Sequence, residues 1–128
     1  MLTTIEREGW NRRLKKFKKS WPREVANLIA NQASLQCSIE AGVRLEQLKD
    51  HPFVQSEPMG ILAVNQRGPV KGAQLVPIRL YVYFDGDDSA LHIIELGDKS
   101  TQDEDIATAK NYVKRLLREK EQRSSSEE

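Results

Sequence analysis

The chain holds a single cysteine, Cys37, in 128 residues, which excludes an intrachain disulfide and a cysteine-built metal cage. No nucleophile signature surrounds Cys37, so it is expected to be a small buried hydrophobe. There is no run of about 18 apolar residues that would cross a membrane as a helix. The opening stretch MLTTIEREGW lacks the apolar centre of a signal peptide, and a cytoplasmic location is expected. A Gly-rich nucleotide loop, a nucleophile triad and a constellation of metal ligands are all missing, so no cofactor and no metal are expected. Neither sign of charge dominates: 20 Lys+Arg face 19 Asp+Glu, a net charge of +1. By itself that argues against strong binding of a polyanion.

The distribution of charge is more informative. Through Phe84 there are 13 Lys+Arg against 7 Asp+Glu, and the remainder has 7 against 12. The first two-thirds can attract phosphate while the last third repels it, although solvated helix faces would give the same counts. A composition 38% hydrophobic over this length fits one core. A single domain is expected over residues 1–118, followed by a charged, serine-rich tail over 119–128 that is expected to be disordered.

Two amphipathic segments open the chain. In TTIEREGWNRRLKKFKK, Trp10, Leu14 and Phe17 recur at helical spacing, and Thr3 with Glu6 stands in the capping-box relation. The other face carries Arg12, Arg13, Lys15, Lys16, Lys18 and Lys19, suited to RNA or to an acidic partner. SWPREVANLIANQ then offers Ser20 as N-cap, Pro22 in the first turn and a buried stripe of Val25, Leu28 and Ile29. Together they predict a helical hairpin. The next stretch, to Asp50, predicts either a further short helix or an extension of the second one interrupted at Gly42. GILAV, between loop-like segments rich in Pro and Gly, is short enough for an edge strand.

The strongest local pattern is LVPIRLYVYFDGDDSALHIIEL. Val76, Ile78, Leu80, Val82 and Phe84 share one face of a strand, leaving Arg79, Tyr81 and Tyr83 on the other. An arginine followed by two tyrosines offers a phosphate fork and stacking surfaces. Equally, tyrosines on a sheet pack under helices with only their hydroxyls wet. The turn DGDD predicts a hairpin. Beyond it, Gly97 allows a sharp turn, Thr101 with Glu104 forms a second capping box, and Ile106, Ala109, Val113, Leu116 and Leu117 mark a final helix. Capping leaves Lys99 and Gln102 without a local role.

IRLYVYFDG followed by LHIIELGDKSTQDEDIATAK resembles the C-terminal half of the RelE/ParE superfamily of toxins from toxin–antitoxin modules, in its HigB-like, phage Gp49-related branch. The likeness covers about residues 75 to 113, and a helical hairpin ahead of the sheet is similar too. It implies an α+β fold: a small twisted antiparallel sheet with helices on one side, the N-terminal hairpin and the C-terminal helix packed on it. It also implies a cognate antitoxin as partner, and cleavage of mRNA on the ribosome without metal. The alternative is a non-catalytic relative that binds gyrase or another protein. Three departures stand out. MLTTIE is at most a short version of the family's N-terminal strand, Pro77 precedes the arginine, and the chain is nearly neutral.

Metal-free RNA cleavage uses the ribose 2′-OH as nucleophile and needs positive charge on the developing phosphorane plus proton carriers. Arg79 is the candidate clamp. Lys99 would add charge or carry a proton, Tyr81 would stack on a base or act as an acid, and His92 titrates in the useful range. A histidine among isoleucines is also an ordinary core residue. Arg67 and Lys71 would position RNA or simply be solvated, Gln102 would touch a base edge or decorate a helical turn, and Arg12 with Lys16 would contact RNA from the first helix.

Overall fold

The structure, a computed structural model, describes residues 2–66 and 77–126. Strand β1 (Thr3–Glu6) leads into helices α1 (Trp10–Ser20) and α2 (Pro22–Glu40) and a single turn, α3 (Leu45–Leu48). Strands β2 (Val54–Ser56), β3 (Ile61–Asn65), β4 (Ile78–Asp85) and β5 (Ala90–Asp98) follow, and helix α4 (Gln102–Ser126) closes the fold. The five-stranded sheet runs β1-β5-β4-β3-β2. It is mixed rather than wholly antiparallel: β2 to β5 form an antiparallel meander, and β1 pairs with β5 in parallel.

The alternation on β4 divides the interior in two. Ile78, Leu80 and Val82 join Leu91, Ile93 and Leu96 of β5 beneath Trp10, Phe17, Val25 and Leu28 of the helical hairpin. Tyr81 and Ile94 turn to the opposite face, where Ala109 and Val113 of α4 cover them with Ile61 and Ala63. Helices therefore pack on both faces of the sheet, not on one side. Each Leu or Ile removed from water in these layers contributes about 1.5–3 kcal/mol. A register shift between Tyr81 and Val82 opposes two β5 residues to one on β4, and the added twist aims the end of β5 into the turn before α4.

Several local expectations change. Thr3 and Glu6 lie in a strand, not in a capping box, and α1 begins only after Gly9, whose φ of 84° is a left-handed conformation that glycine adopts without steric cost. Ser20 is the last residue of α1 rather than a cap, while Pro22 does occupy the first turn of α2. Ile29, expected in the stripe, is 46% exposed. Cys37 is exposed, not buried. The second helix does extend, to Glu40, and is interrupted at Gly42 ahead of the short α3 as expected, but β3 is an interior strand whose outer neighbour β2 forms the edge. The final helix passes Leu117 and runs to Ser126, so residues 119–126 are helical rather than disordered. Among the described residues no helix is long and apolar enough to cross a membrane.

Candidate functional site

The β4–β5 ladder carries most of the candidate residues, and its register sets which of them can meet. Ile78 pairs with Asp98 and Arg79 with Gly97 at one end, whereas Tyr83 pairs with His92 further along. Four strand residues separate the Arg79 and His92 positions, about 13 Å at the usual rise. They do not form one reacting centre.

At the first end, Arg79 turns to the same sheet face as Tyr81. Its side chain is 27% exposed, and the nearest Glu57 oxygen lies 3.9 Å from its Nη1. Among the described residues that Nη1 is buried without a hydrogen-bond acceptor, a demand that costs about 1–3 kcal/mol where it stays unmet. Beside it a cleft of about 240 Å³ is lined by Gln55, Asn65, Gln66, Pro77, Ile78 and Arg79. The Gln66 amide oxygen accepts from the Ile78 backbone N–H at 3.4 Å, which holds the floor of the cleft to β4. A guanidinium whose side chain is partly open at the rim of a polar cleft is suited to an oxyanion such as a phosphate.

Tyr81 does not reach that cleft as a stacking platform. It is 1% exposed, packed between Ile61, Ile94 and Val113. Burial pushes its hydroxyl up to about 12, which the charge of Arg79 only partly offsets. The expected roles in base stacking and proton donation therefore fail on access and on acidity. Of the open readings, the tyrosine packed beneath a helix is the one realised.

Lys99 lies just past Asp98, in a 3-10 turn (Lys99–Thr101) between β5 and α4, and it is exposed. Asp98 accepts from the Ser100 backbone N–H at 2.8 Å, and the Ser100 hydroxyl holds the Asp98 carboxyl below the usual range. Thr101 donates to Asp105 at 2.7 Å, so the capping partner is Asp105 and not Glu104. Lys99 and Gln102, half-buried, make no side-chain hydrogen bond or ion pair with any described residue.

His92 belongs to a different region. It is 4% exposed, its Nδ1 lies 2.7 Å from the Tyr112 hydroxyl, and burial lowers its pKa. It borders a cavity of about 710 Å³ with Ile5, Asp88, Leu116 and Glu119. This is the ordinary core histidine, satisfied by a tyrosine of the covering helix. Arg12 and Lys16 are exposed on α1, whose core side packs on the sheet face opposite to Arg79. Arg67 and Lys71 lie outside the described residues.

Arg13, expected on the solvated face of α1, and three side chains that the sequence pattern left without a role, Arg7, Glu95 and Asp105, form an ion cluster around two buried carboxylates where α1, β5 and α4 meet. Glu95, 5% exposed, is held by Arg7 at 3.1 Å and by Arg13. Arg13 also reaches Asp105 at 3.6 Å and donates to the Leu96 carbonyl at 2.8 Å. Arg13 is thus drawn off the solvated face of α1. Glu57 and Gln66 were also missed, because both sit in segments with no periodicity to orient them. Among the described residues no three His, Cys, Asp or Glu side chains converge as for a metal ion. Compared with protein-family models, with curated proteins and with solved structures, the chain matches none.

Proposed function

We propose that the chain is a toxin of the RelE/ParE type, from a toxin–antitoxin module, acting in the cytoplasm as a metal-free, ribosome-dependent mRNA endoribonuclease restrained by a cognate antitoxin. The observation that carries this reading is the Arg79 guanidinium, 27% exposed beside a polar cleft, at the end of the ladder that leads into the GDKS turn. The N-terminal strand, expected to be at most a short one, supports the likeness because the four-residue β1 is joined to β5.

In this mechanism the ribose 2′-OH gives its proton to solvent and attacks the adjacent phosphorus, the P–O5′ bond breaks to leave a 2′,3′-cyclic phosphate and a 5′ oxygen that takes up a proton, and the charge of Arg79 on the phosphate stabilises the phosphorane more than the ground state. Lys99 supplies a second cation or a proton from the turn. Glu57, 3.9 Å from Nη1, positions the guanidinium, and the part of it open to the cleft meets the phosphate. Tyr81 and His92 have no part in the reaction.

Induced expression followed by mapping of RNA 5′ ends tests the proposal. Growth arrest with new mRNA ends is expected, and Arg79→Ala or Lys99→Ala should lower cleavage about 100-fold or more with an unchanged circular dichroism spectrum. Arrest with intact mRNA would refute nuclease activity. The second reading, a non-catalytic relative directed at gyrase or another protein, is favoured by the burial of Tyr81 and the separation of His92, which leave proton transfer with few carriers. It predicts arrest, or binding, that survives Arg79→Ala.

A further inference from the structure

We infer that the outer face of α1 is a second polyanion-binding surface, separate from the Arg79 cleft, that docks on the phosphate backbone of double-helical RNA. At about 100° per residue, Arg12, Lys15, Lys16 and Lys19 fall within an arc of about 100° opposite the buried Trp10 and Phe17, and run for about 10 Å along the helix. All four are exposed, as are Lys18 and Arg23 beside them. No acidic residue occurs from Gly9 to Arg23. Among the described residues, the one cation of α1 that finds acidic partners, Arg13, is turned inward to Glu95 and Asp105. That contact fixes the rotation of α1 on the sheet, so the remaining cations stand in one orientation.

The composition of this face selects the partner. A protein interface needs apolar or aromatic anchors at its centre, and a membrane-surface helix needs an apolar face to insert. Here the aromatic residues, Trp10 and Phe17, are both buried in the core. Single-stranded nucleic acid is gripped by stacking on exposed aromatics, which the same burial removes. A rigid row of cations without anchors fits a regular array of phosphates. Because α1 and Arg79 lie on opposite faces of the sheet, one short RNA strand does not occupy both. The protein would hold a structured RNA on one face while a flexible strand enters the other. This inference goes beyond the proposed cleavage and does not require it.

The test is binding of the full chain to an RNA hairpin of about 16 base pairs, followed by fluorescence anisotropy across a series of KCl concentrations. The triple variant Lys15→Gln, Lys16→Gln, Lys19→Gln, which keeps good helix formers at exposed positions, should bind at least 10-fold more weakly near 0.1 M salt. Its log–log salt slope should be shallower by roughly 2–3, at about 0.9 per phosphate released. Lys114→Gln, at an exposed cation of α4 on the other face of the sheet, should bind the hairpin as the parent does. The inference is overturned by an unchanged slope in the triple variant with retained melting temperature, by equal loss in Lys114→Gln, or by preference for phosphatidylserine vesicles or a polyglutamate peptide over the hairpin. Failure of mRNA cleavage with hairpin binding intact would sink the nuclease reading alone.

Discussion

Gly97 and Asp105 approach so closely that a Cβ on Gly97 would stand 1.6 Å from the Asp105 carboxylate oxygen and 2.7 Å from the Thr101 hydroxyl. The last stretch of β5 and the first turn of α4 can meet at this distance only across a residue without a side chain. Gly97→Ala should therefore cost about 2–3 kcal/mol, at the upper part of the overpacking range, measured by urea denaturation. Combining it with Asp105→Ala should recover a good part of that loss, since the second change removes the colliding carboxylate; strict additivity would disprove the contact.

Asp105 itself sets a pH dependence. Burial raises its pKa, with the Thr101 hydrogen bond and Arg13 offsetting only part of the effect. The folded state thus holds this proton more tightly than the unfolded chain. Its contribution is fully present below the ordinary carboxylate pKa of about 4 and is lost as pH rises through the folded value. Asp105→Asn keeps an acceptor for Thr101 and removes the titration. The variant should be at least as stable as the parent at pH 7 and flatter in thermal midpoint from pH 4 upward.

His92 has the opposite sense. Its folded pKa is depressed by burial, so its contribution is intact above about pH 6.5 and is lost as pH falls through the folded value. An NMR titration should find His92 titrating below the ordinary histidine range. Tyr112→Phe, which leaves the Nδ1 group without its partner, should destabilise by about 1–2 kcal/mol at neutral pH. A cost near zero would mean that the 2.7 Å contact adds nothing to the fold.

Lys120 pins the distal part of α4. Its Nζ lies 2.8 Å from Asp85, 3% exposed, and 3.1 Å from Asp87, 88% exposed. Although burial works the other way, the hydrogen bond and charge of Lys120 hold the Asp85 carboxyl below its usual range. The Asp85 hydrogen bond lifts Lys120 to about 12. Lys120→Met leaves a buried carboxylate uncompensated and should cost about 2–3 kcal/mol, while Asp87→Ala should cost no more than about 0.5. Equal effects in a chemical melt would contradict the difference in burial.

These contacts explain which features could be read in advance. Periodicity is a local signal, so the stripe of Trp10, Phe17, Val25 and Leu28 and the alternation of Ile78, Leu80 and Val82 were legible, and the helical hairpin, the β4–β5 hairpin and the packed final helix followed from them. What periodicity lacks is the identity of the covering element. The side of β4 that bears Arg79 and Tyr81 became half interior because α4 lies over Tyr81 and not over Arg79. Strand β1 was illegible for a related reason: its four residues are all exposed, and its pairing partners are nearly ninety positions away. Residues 119–126 looked like a solvated tail because the acid that tethers Lys120 belongs to a distant hairpin.

The parallel joint between β1 and β5 constrains how the polypeptide matures. Thr3 pairs with Ala90 and Glu6 with Ile93, and Arg7 reaches Glu95. A nascent chain emerging from its own ribosome can assemble the two N-terminal helices from nearby residues, but the first strand has no partner until Ala90 to Ile93 have been made. Contacts of such sequence separation are slow to form, and until they close, the row of cations on α1 is displayed before the acidic part of the chain has been synthesised.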